Sequence, residues 1–128
     1  MAAPENRKYT KTHEWVLLEG DIATLGLTDH AQQELGDITY LELPDAGDAV
    51  SAGEAFGVVE SVKAASDVYS PIDGEVVERN DTAVDSPELI NQSPFDNAWL
   101  IKVKLNDPSQ VEGLLDSKAY DEFADDAS

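Results

Sequence analysis

The alternation of apolar and polar positions predicts a chain built mainly from short β-strands. Residues 9–18 and 22–27 are predicted as the two strands of a hairpin, and Glu19-Gly20-Asp21 provides the turn between them. Residues 38–43 alternate as a half-buried strand that stops at Pro44. Residues 99–105 form another alternating strand near the C-terminal end.

From residue 44 to residue 79 the pattern changes to a series of short strands separated by turn residues. The turns are marked by Pro44-Asp45-Ala46-Gly47, Ala52-Gly53, Lys63-Ala64 and Ile72-Asp73-Gly74. Short strands at such close spacing favour a mainly β fold, a small β-sandwich or barrel.

Helix signals are few and lie between or after the strands. Thr28 is placed as an N-cap and Gly36 closes a short helix, whereas residues 80–97 are predicted as a loop with one helical turn at Ser86-Pro87-Glu88. Capping patterns at Asp107 and Ser117 predict two C-terminal helical segments, the second ending near Phe123. We therefore expect one domain at residues 9–123, between a disordered N-terminus at 1–8 and an acidic disordered tail at 124–128.

Composition narrows the possible functions. The 128 residues include 27 acidic and 8 basic side chains, for a formal net charge of -19, which argues against nucleic acid or an anionic membrane as a partner. The chain has no cysteine, so any redox or thiol chemistry must arrive on a cofactor. It also has no apolar run long enough to span a bilayer and no basic, apolar leader, so a cytoplasmic location is expected.

The excess of negative charge also leads to a hypothesis about the solvent. Charges about 10 Å apart in water repel by about 0.4 kcal/mol, and many such pairs would threaten a small domain. Salt at about 1 M shortens the Debye length to about 3 Å and removes most of this repulsion. We therefore hypothesise a halophilic prokaryote as the source, with an acidic protein from an ordinary cytoplasm as the alternative.

The familiar catalytic and metal-binding patterns are not found in the sequence. His13 and His30 are the only imidazoles, the acidic residues do not form an EF-hand loop, and no metal site is expected. His13 next to Glu14 could be a base with its orienting carboxylate, but successive strand residues point to opposite faces, so a structural histidine is favoured. An independent enzyme is therefore not expected.

Lys63 stands out because it is the single lysine between Lys11 and Lys102. It lies between the predicted strands at residues 55–62 and 65–69, where Ser61, Ala64 and Ala65 add little bulk. An amine at the tip of such a hairpin suits acylation by another enzyme, because the tip protrudes and leaves room for that enzyme. Position alone leaves open an ordinary solvated lysine in a turn.

The segment around Lys63 consists of Glu60-Ser61-Val62-Lys63-Ala64-Ala65-Ser66-Asp67 followed by Tyr69-Ser70-Pro71-Ile72-Asp73-Gly74-Glu75-Val76. Further motifs along the chain are Thr12-His13-Glu14-Trp15-Val16, Gly26-Leu27-Thr28-Asp29-His30-Ala31-Gln32, Leu35-Gly36-Asp37-Ile38, Leu43-Pro44, Gly57-Val58-Val59, Pro87-Glu88-Leu89-Ile90-Asn91, Trp99-Leu100-Ile101-Lys102-Val103 and Leu114-Leu115. The segment around Lys63 resembles the lipoyl-attachment hairpin of the glycine cleavage system H proteins. The resemblance covers roughly residues 9–123, and all of these motifs occur in the family's order.

The resemblance implies a non-catalytic, monomeric carrier with the barrel-sandwich hybrid fold of lipoyl and biotinyl domains. It implies that Lys63 bears lipoic acid in amide linkage. The implied partners are a pyridoxal-phosphate glycine decarboxylase (P protein), a tetrahydrofolate-dependent aminomethyltransferase (T protein), dihydrolipoyl dehydrogenase (L protein) and a lipoylating enzyme. Thr12, Glu14 and Asp67 match the residues that line the cleft in which the carried aminomethyl group is sheltered.

Two other functions remain open at this point. A lipoyl domain of a 2-oxoacid dehydrogenase system shares the hairpin lysine, and an interaction module with this fold could remain unlipoylated. A biotin carrier would place methionine on both sides of its lysine, whereas Val62 and Ala64 flank Lys63.

Overall fold

Two antiparallel sheets form the body of the protein in the computed structural model, which describes residues 6–127. The larger sheet has the strand order β1-β2-β3-β9-β8-β5, and the smaller has the order β4-β6-β7. The strands are β1 (Lys8–Tyr9), β2 (Glu14–Glu19), β3 (Ile22–Leu27), β4 (Ile38–Glu42), β5 (Ala49–Val50), β6 (Ala55–Ser61), β7 (Ala65–Tyr69), β8 (Gly74–Arg79) and β9 (Ile101–Leu105). The predicted mainly β class is confirmed.

Within residues 6–127, five short helices connect or follow the strands. They are α1 (Asp29–Leu35), α2 (Asp81–Asp85), α3 (Leu89–Gln92), α4 (Ser109–Glu112) and α5 (Ser117–Ala127). The side chain of Thr28 caps α1 by accepting a hydrogen bond from the backbone N–H of Ala31, and Gly36 ends the helix at a φ of 79°. Both signals match the predicted helix. No helix within residues 6–127 is long and apolar enough to cross a bilayer.

The single strand predicted at residues 9–18 is wrong, because a turn divides it. The backbone N–H of His13 donates to the carbonyl of Thr10, and the hydroxyl of Thr10 accepts from the backbone N–H of Glu14. His13 adopts a φ of 69°, which reverses the chain before β2 begins. Residues 10–14 are all polar, and this interruption of the apolar positions coincides with the break.

The stretch predicted as loop contains the additional helix α2. The side chain of Asn80 accepts from the backbone N–H of Ala83 and donates to the carbonyls of Asn97 and Trp99. Ala83 is fully buried against the main core. This helix depends on contacts with residues distant in the sequence, so its five residues carry too weak a local signal to be recognised.

Both ends of the ordered domain extend beyond the predicted boundaries. Lys8 belongs to β1, and α5 continues past Phe123 to Ala127 where a disordered tail was predicted. Tyr120 and Ala124 on α5 are buried in a cluster with Tyr9, and the rings of Tyr9 and Tyr120 stack at 4.8 Å. The disorder predicted for residues 1–5 and for residue 128 lies outside the described residues.

The apolar side chains form one core between the two sheets and a second, smaller core beneath α5. The main core takes its largest buried members from both sheets and from the connections on either side of β8: Val16, Leu25, Leu41, Val59, Val68, Ile72, Val76, Ile90, Leu100 and Ile101. The smaller core contains Trp15, which lies opposite Gly26 across the β2–β3 ladder. The two cores therefore hold in place the strands whose ends form the candidate site.

Gly26 lies in tight contact with the smaller core. A Cβ atom there would stand 2.4 Å from the Trp15 ring. We predict that Gly26→Ala lowers the free energy of unfolding by about 1–3 kcal/mol, because the buried ring must move. Urea denaturation measures the change, with Gly113→Ala as the matched control, since a Cβ at Gly113 has its nearest neighbour at 3.8 Å. Equal stability of Gly26→Ala and the control would contradict this packing.

Candidate functional site

Lys63 lies at the exposed tip of the β6–β7 hairpin, as predicted. The last ladder pair before the tip joins Glu60 to Ala65, and the backbone N–H of Ser61 donates to the carbonyl of Ala64 at 2.8 Å. The Ser61 hydroxyl oxygen lies 3.2 Å from the backbone nitrogens of both Lys63 and Ala64, from which it accepts hydrogen bonds. The turn is therefore fixed by its own hydrogen bonds while the lysine side chain stays in solvent.

A second segment of chain supports the tip from the side. The backbone N–H of Val62 donates to the carbonyl of Asp37 at 3.1 Å, and the side chain of Lys63 lies along Gly36. A Cβ at Gly36 would stand 3.3 Å from Cε of Lys63, and the positive φ of this residue also favours glycine. Asn91 holds this segment, because its amide donates to the Gly36 carbonyl and its side-chain oxygen accepts from the Ile38 N–H.

No sequence pattern predicts this support. The sequence predicts a helix end at Gly36 and a loop that contains Asn91, but no contact between them. The distance between Asn91 and Gly36 along the chain is large, so the hydrogen bond between them leaves no local pattern. The glycine directly after a predicted helix was the one available signal.

A cleft of about 330 Å³ opens next to the Lys63 turn, and it brings Thr12, Glu14 and Asp67 together. These are the three residues that the sequence resemblance assigned to one cleft. Its walls come from the end of β3, from α1 and from the β6–β7 hairpin, through Leu27, Ala31, Glu34, Leu35, Val59, Ala64, Ala65, Ser66 and Val68. Ala64, the residue directly after Lys63, lines the cleft, so the cleft begins beside the Lys63 turn.

Glu14 is the buried acid of this cleft, with 2% of its surface exposed. One of its carboxylate oxygens, Oε1, accepts hydrogen bonds from the hydroxyls of Thr10 and Thr12, the first at 2.6 Å. The backbone N–H of Tyr69 donates to the same carboxylate. Burial raises the pKa of Glu14 above its ordinary value, and the three hydrogen bonds oppose that rise. Asp67, in contrast, is exposed at the cleft rim.

Thr12 and Glu14 also line a neighbouring cavity of about 420 Å³, together with Tyr69, Pro71 and Leu114. Glu14 therefore lies between two concave surfaces. The second cavity has more apolar walls, and no sequence pattern indicated it.

His13 does not form a catalytic pair with Glu14. It lies in the turn before β2, so the argument from alternating strand faces does not apply to it. Its Nδ1 atom lies 2.7 Å from the hydroxyl of Tyr120, a structural role of the kind expected from the sequence. His13, His30 and Glu34, for which the sequence predicts no metal-binding role, bring potential ligand atoms within 4.8 Å of one another.

Comparison with known proteins agrees with this arrangement. A family model described as the glycine cleavage H-protein matches residues 7–127. The chain is 53% identical over 123 residues to the glycine cleavage system H protein of Staphylococcus carnosus, covering 96% of this chain and 98% of that protein. Identity to the H protein of Staphylococcus saprophyticus is 49% over 123 residues, with the same coverage.

The fold matches as well as the sequence. The crystal structure of a glycine cleavage system H protein from Mycobacterium marinum superposes with a TM-score of 0.86 at 37% identity, covering 98% of both chains. The two sheets thus have the barrel-sandwich fold of lipoyl domains. The chain therefore belongs to the glycine cleavage H-protein family, whose members are non-catalytic lipoyl carriers of the glycine cleavage system.

Proposed function

We propose that Lys63 carries lipoic acid in amide linkage and that the chain presents this arm in turn to the P, T and L proteins of the glycine cleavage system. The single observation that carries the proposal is the exposed amine of Lys63 at a hydrogen-bonded tip, directly beside a cleft with a buried carboxylate. When attached, the lipoyl group supplies a disulfide that can be reduced and can accept a one-carbon unit.

The residues around Lys63 fit such a group. Ala64 and Ala65 on one side and Ser61 on the other leave space for the lipoylating enzyme, and Val62 exposes 68% of its surface next to the amine. The chain has no cysteine that could exchange with the lipoyl disulfide, so the redox state of the arm is left to the partner enzymes. The 330 Å³ cleft offers a surface on which the distal end of the arm can rest.

We propose that Thr12, Glu14 and Asp67 hold the ammonium of the carried aminomethyl group in this cleft. The buried carboxylate of Glu14 supplies the principal counter-charge, and Asp67 at the rim adds a weaker, solvent-screened one. A sheltered charge-assisted hydrogen bond contributes about 1.5–3 kcal/mol, and an exposed ion pair contributes less than about 1 kcal/mol. Thr12 orients Glu14 by donating to its Oε1 atom.

We also propose that the carrier acts as a monomer in the cytoplasm and that its charge is adapted to high salt, consistent with a halophilic source. The chain has 27 acidic side chains and only 8 basic ones, so few of the acids can have a basic partner. Ion pairs with lysine or arginine involve Asp45, Asp81, Asp96 and Glu78. Most of the negative surface is therefore balanced by dissolved ions.

Lys63→Arg tests the attachment site while keeping the positive charge. We expect the variant to show no lipoyl adduct by intact mass after incubation with a lipoylating enzyme, because guanidinium nitrogen does not form the amide. Glycine–bicarbonate exchange with the P protein should fall to the background level. Lys104→Arg, an exposed lysine on β9, is the matched control and should behave as wild type. A lipoyl adduct on the Lys63→Arg protein, or undiminished exchange, would refute the assignment.

Glu14→Gln tests the buried carboxylate by removing its charge and keeping its shape. With lipoylation intact, we expect the carried aminomethyl group to be released to water about 10- to 100-fold faster, corresponding to the loss of one charge-assisted hydrogen bond. Trapping of released formaldehyde measures the rate. The matched control is Glu60→Gln, an exposed acid on the same hairpin as Lys63. An unchanged release rate would remove Glu14 from the cleft's function.

The same variant should be more stable than the wild type at neutral pH. Because the folded-state pKa of Glu14 is raised, the folded protein binds its proton more tightly than the unfolded chain does, and stability falls as pH rises above the unfolded value of 4.5. The gain in stability of Glu14→Gln over wild type is therefore absent below the unfolded-state pKa of Glu14. It reaches its full size above the folded-state pKa. Urea denaturation across pH 4 to 8 checks this sign, and a constant difference would contradict it.

Salt should stabilise the protein strongly. Screening at about 1 M KCl removes most long-range repulsion, and relief of about 2 kcal/mol would raise the Tm by about 8 °C in a domain of this size. Sucrose at equal osmolality is the control, because it acts by exclusion from the surface without screening charge. The same Tm in dilute buffer and in molar KCl would contradict the high-salt proposal.

A further inference from the structure

The imidazole of His13, from the turn before β2, meets the side chains of His30 and Glu34 on α1, and Glu34 also lines the cleft. The rings of His13 and His30 lie 4.3 Å apart between centroids, with 32° between their planes. Glu34 is one helical turn beyond His30, and its Oε1 atom lies 3.0 Å from Nε2 of His30. One potential ligand atom from each of the three side chains lies within 4.8 Å of the other two.

The backbone holds His13 in a conformation that needs support. His13 is the only residue other than glycine with a positive φ within residues 6–127. Its N–H donates to the Thr10 carbonyl, and its own carbonyl accepts from the Thr28 N–H at 3.1 Å. Non-glycine residues in this region persist where surrounding contacts impose the conformation, and they are concentrated at functional sites. Here that conformation brings the imidazole of His13 against that of His30.

A hydrogen-bond chain fixes which nitrogen of His13 is available. Nδ1 lies 2.7 Å from the hydroxyl of Tyr120, which in turn lies 2.7 Å from the hydroxyl of Thr28. Tyr120 is 2% exposed, so this partner is rigid. With Nδ1 engaged, Nε2 of His13 is the nitrogen left for a ligand. Metal-binding histidines characteristically have their second nitrogen oriented by such a partner.

His30 and Glu34 supply the other two ligands from one face of α1. Residues four apart on a helix are neighbours, so the pair can chelate one ion. The side chain of Glu34 is 57% exposed and that of His30 is 21% exposed, so the carboxylate can move while the imidazole is held. A tetrahedral site with Zn–N bonds of about 2.0–2.1 Å separates its ligand atoms by about 3.3 Å, so side-chain rotation must close gaps of at most about 1.5 Å.

We propose that Nε2 of His13, one imidazole nitrogen of His30 and the carboxylate of Glu34 bind one divalent transition-metal ion of the Zn²⁺ class. Three protein ligands leave the fourth position to water. The ion would link the turn before β2 to α1, and Glu34 places it at the rim of the 330 Å³ cleft. Binding would replace the present hydrogen bond between His30 and Glu34.

The ligand set distinguishes this site from the general attraction of a polyanion for cations. Carboxylates and water suit Ca²⁺ and Mg²⁺, whereas imidazole nitrogens select Zn²⁺, Ni²⁺ and Cu²⁺. His13 and His30 are the only histidines of the chain. Cation binding by the acidic surface would therefore show neither selectivity for Zn²⁺ over Ca²⁺ nor dependence on the two imidazoles.

Isothermal titration of the unmodified full chain with Zn²⁺ in about 0.5 M KCl tests the proposal, with Ca²⁺ as the comparison ion. Unlipoylated protein is used, so the result is independent of the role of Lys63. We expect one Zn²⁺ per chain, at least tenfold weaker binding for His30→Gln and for Glu34→Gln, and binding within twofold of wild type for Glu112→Gln. Glu112 is an exposed acid on α4 and serves as the matched control.

Co²⁺ absorption provides a second readout that does not depend on affinity alone. A four-coordinate N/O site gives intense visible bands, which His30→Gln should abolish while its thermal melt without metal stays close to that of wild type. His13→Gln should also abolish these bands. If the His13→Gln variant does not fold, His30→Gln still tests the proposal, because it leaves the His13–Tyr120 contact intact. Several weak Zn²⁺ ions per chain, unaffected by His30→Gln, would overturn the proposal in favour of carboxylate binding.

Discussion

The carboxylate of Glu14 joins the two sheets at the candidate site. It belongs to β2 of the larger sheet, yet it accepts a hydrogen bond from the backbone N–H of Tyr69 in β7 of the smaller one. With 2% of its surface exposed, it has lost nearly all contact with solvent and depends on Thr10, Thr12 and Tyr69 for compensation. Glu14 therefore connects the turn before β2 to the end of β7, beside the cavity that Tyr69 lines.

Under the proposed role of Glu14, stability and carrier function would oppose each other at this one residue. A neutral side chain would suit the buried position better, as the raised pKa of Glu14 indicates. A cationic cargo would reverse that preference, because its charge would replace the solvation that burial removes. The rest of the core is apolar and well packed. Its stability compensates for the unfavourable burial of this one charge.

The parts of the structure that the sequence predicts are those encoded locally. The β2–β3 hairpin, the α1 caps at Thr28 and Gly36, and the Lys63 tip all follow from alternation and turn residues. The cleft residues came from resemblance, since Thr12 and Asp67 share no local pattern. The structural elements that were missed depend on distant partners. They are α2, the extension of α5 and the grouping of His13 with His30.

The packing of Trp15 next to Glu14 gives the carrier an intrinsic optical reporter. Trp15 is 1% exposed, donates from Nε1 to the Pro94 carbonyl at 2.9 Å and fills the space left by Gly26. Trp99, in contrast, is only half-buried. The fluorescence of Trp15 therefore reports whether β2, the strand that carries Glu14, remains folded. Trp99 is already in contact with solvent in the native state. Local loosening beside the cleft can thus be observed without attaching any label to the protein.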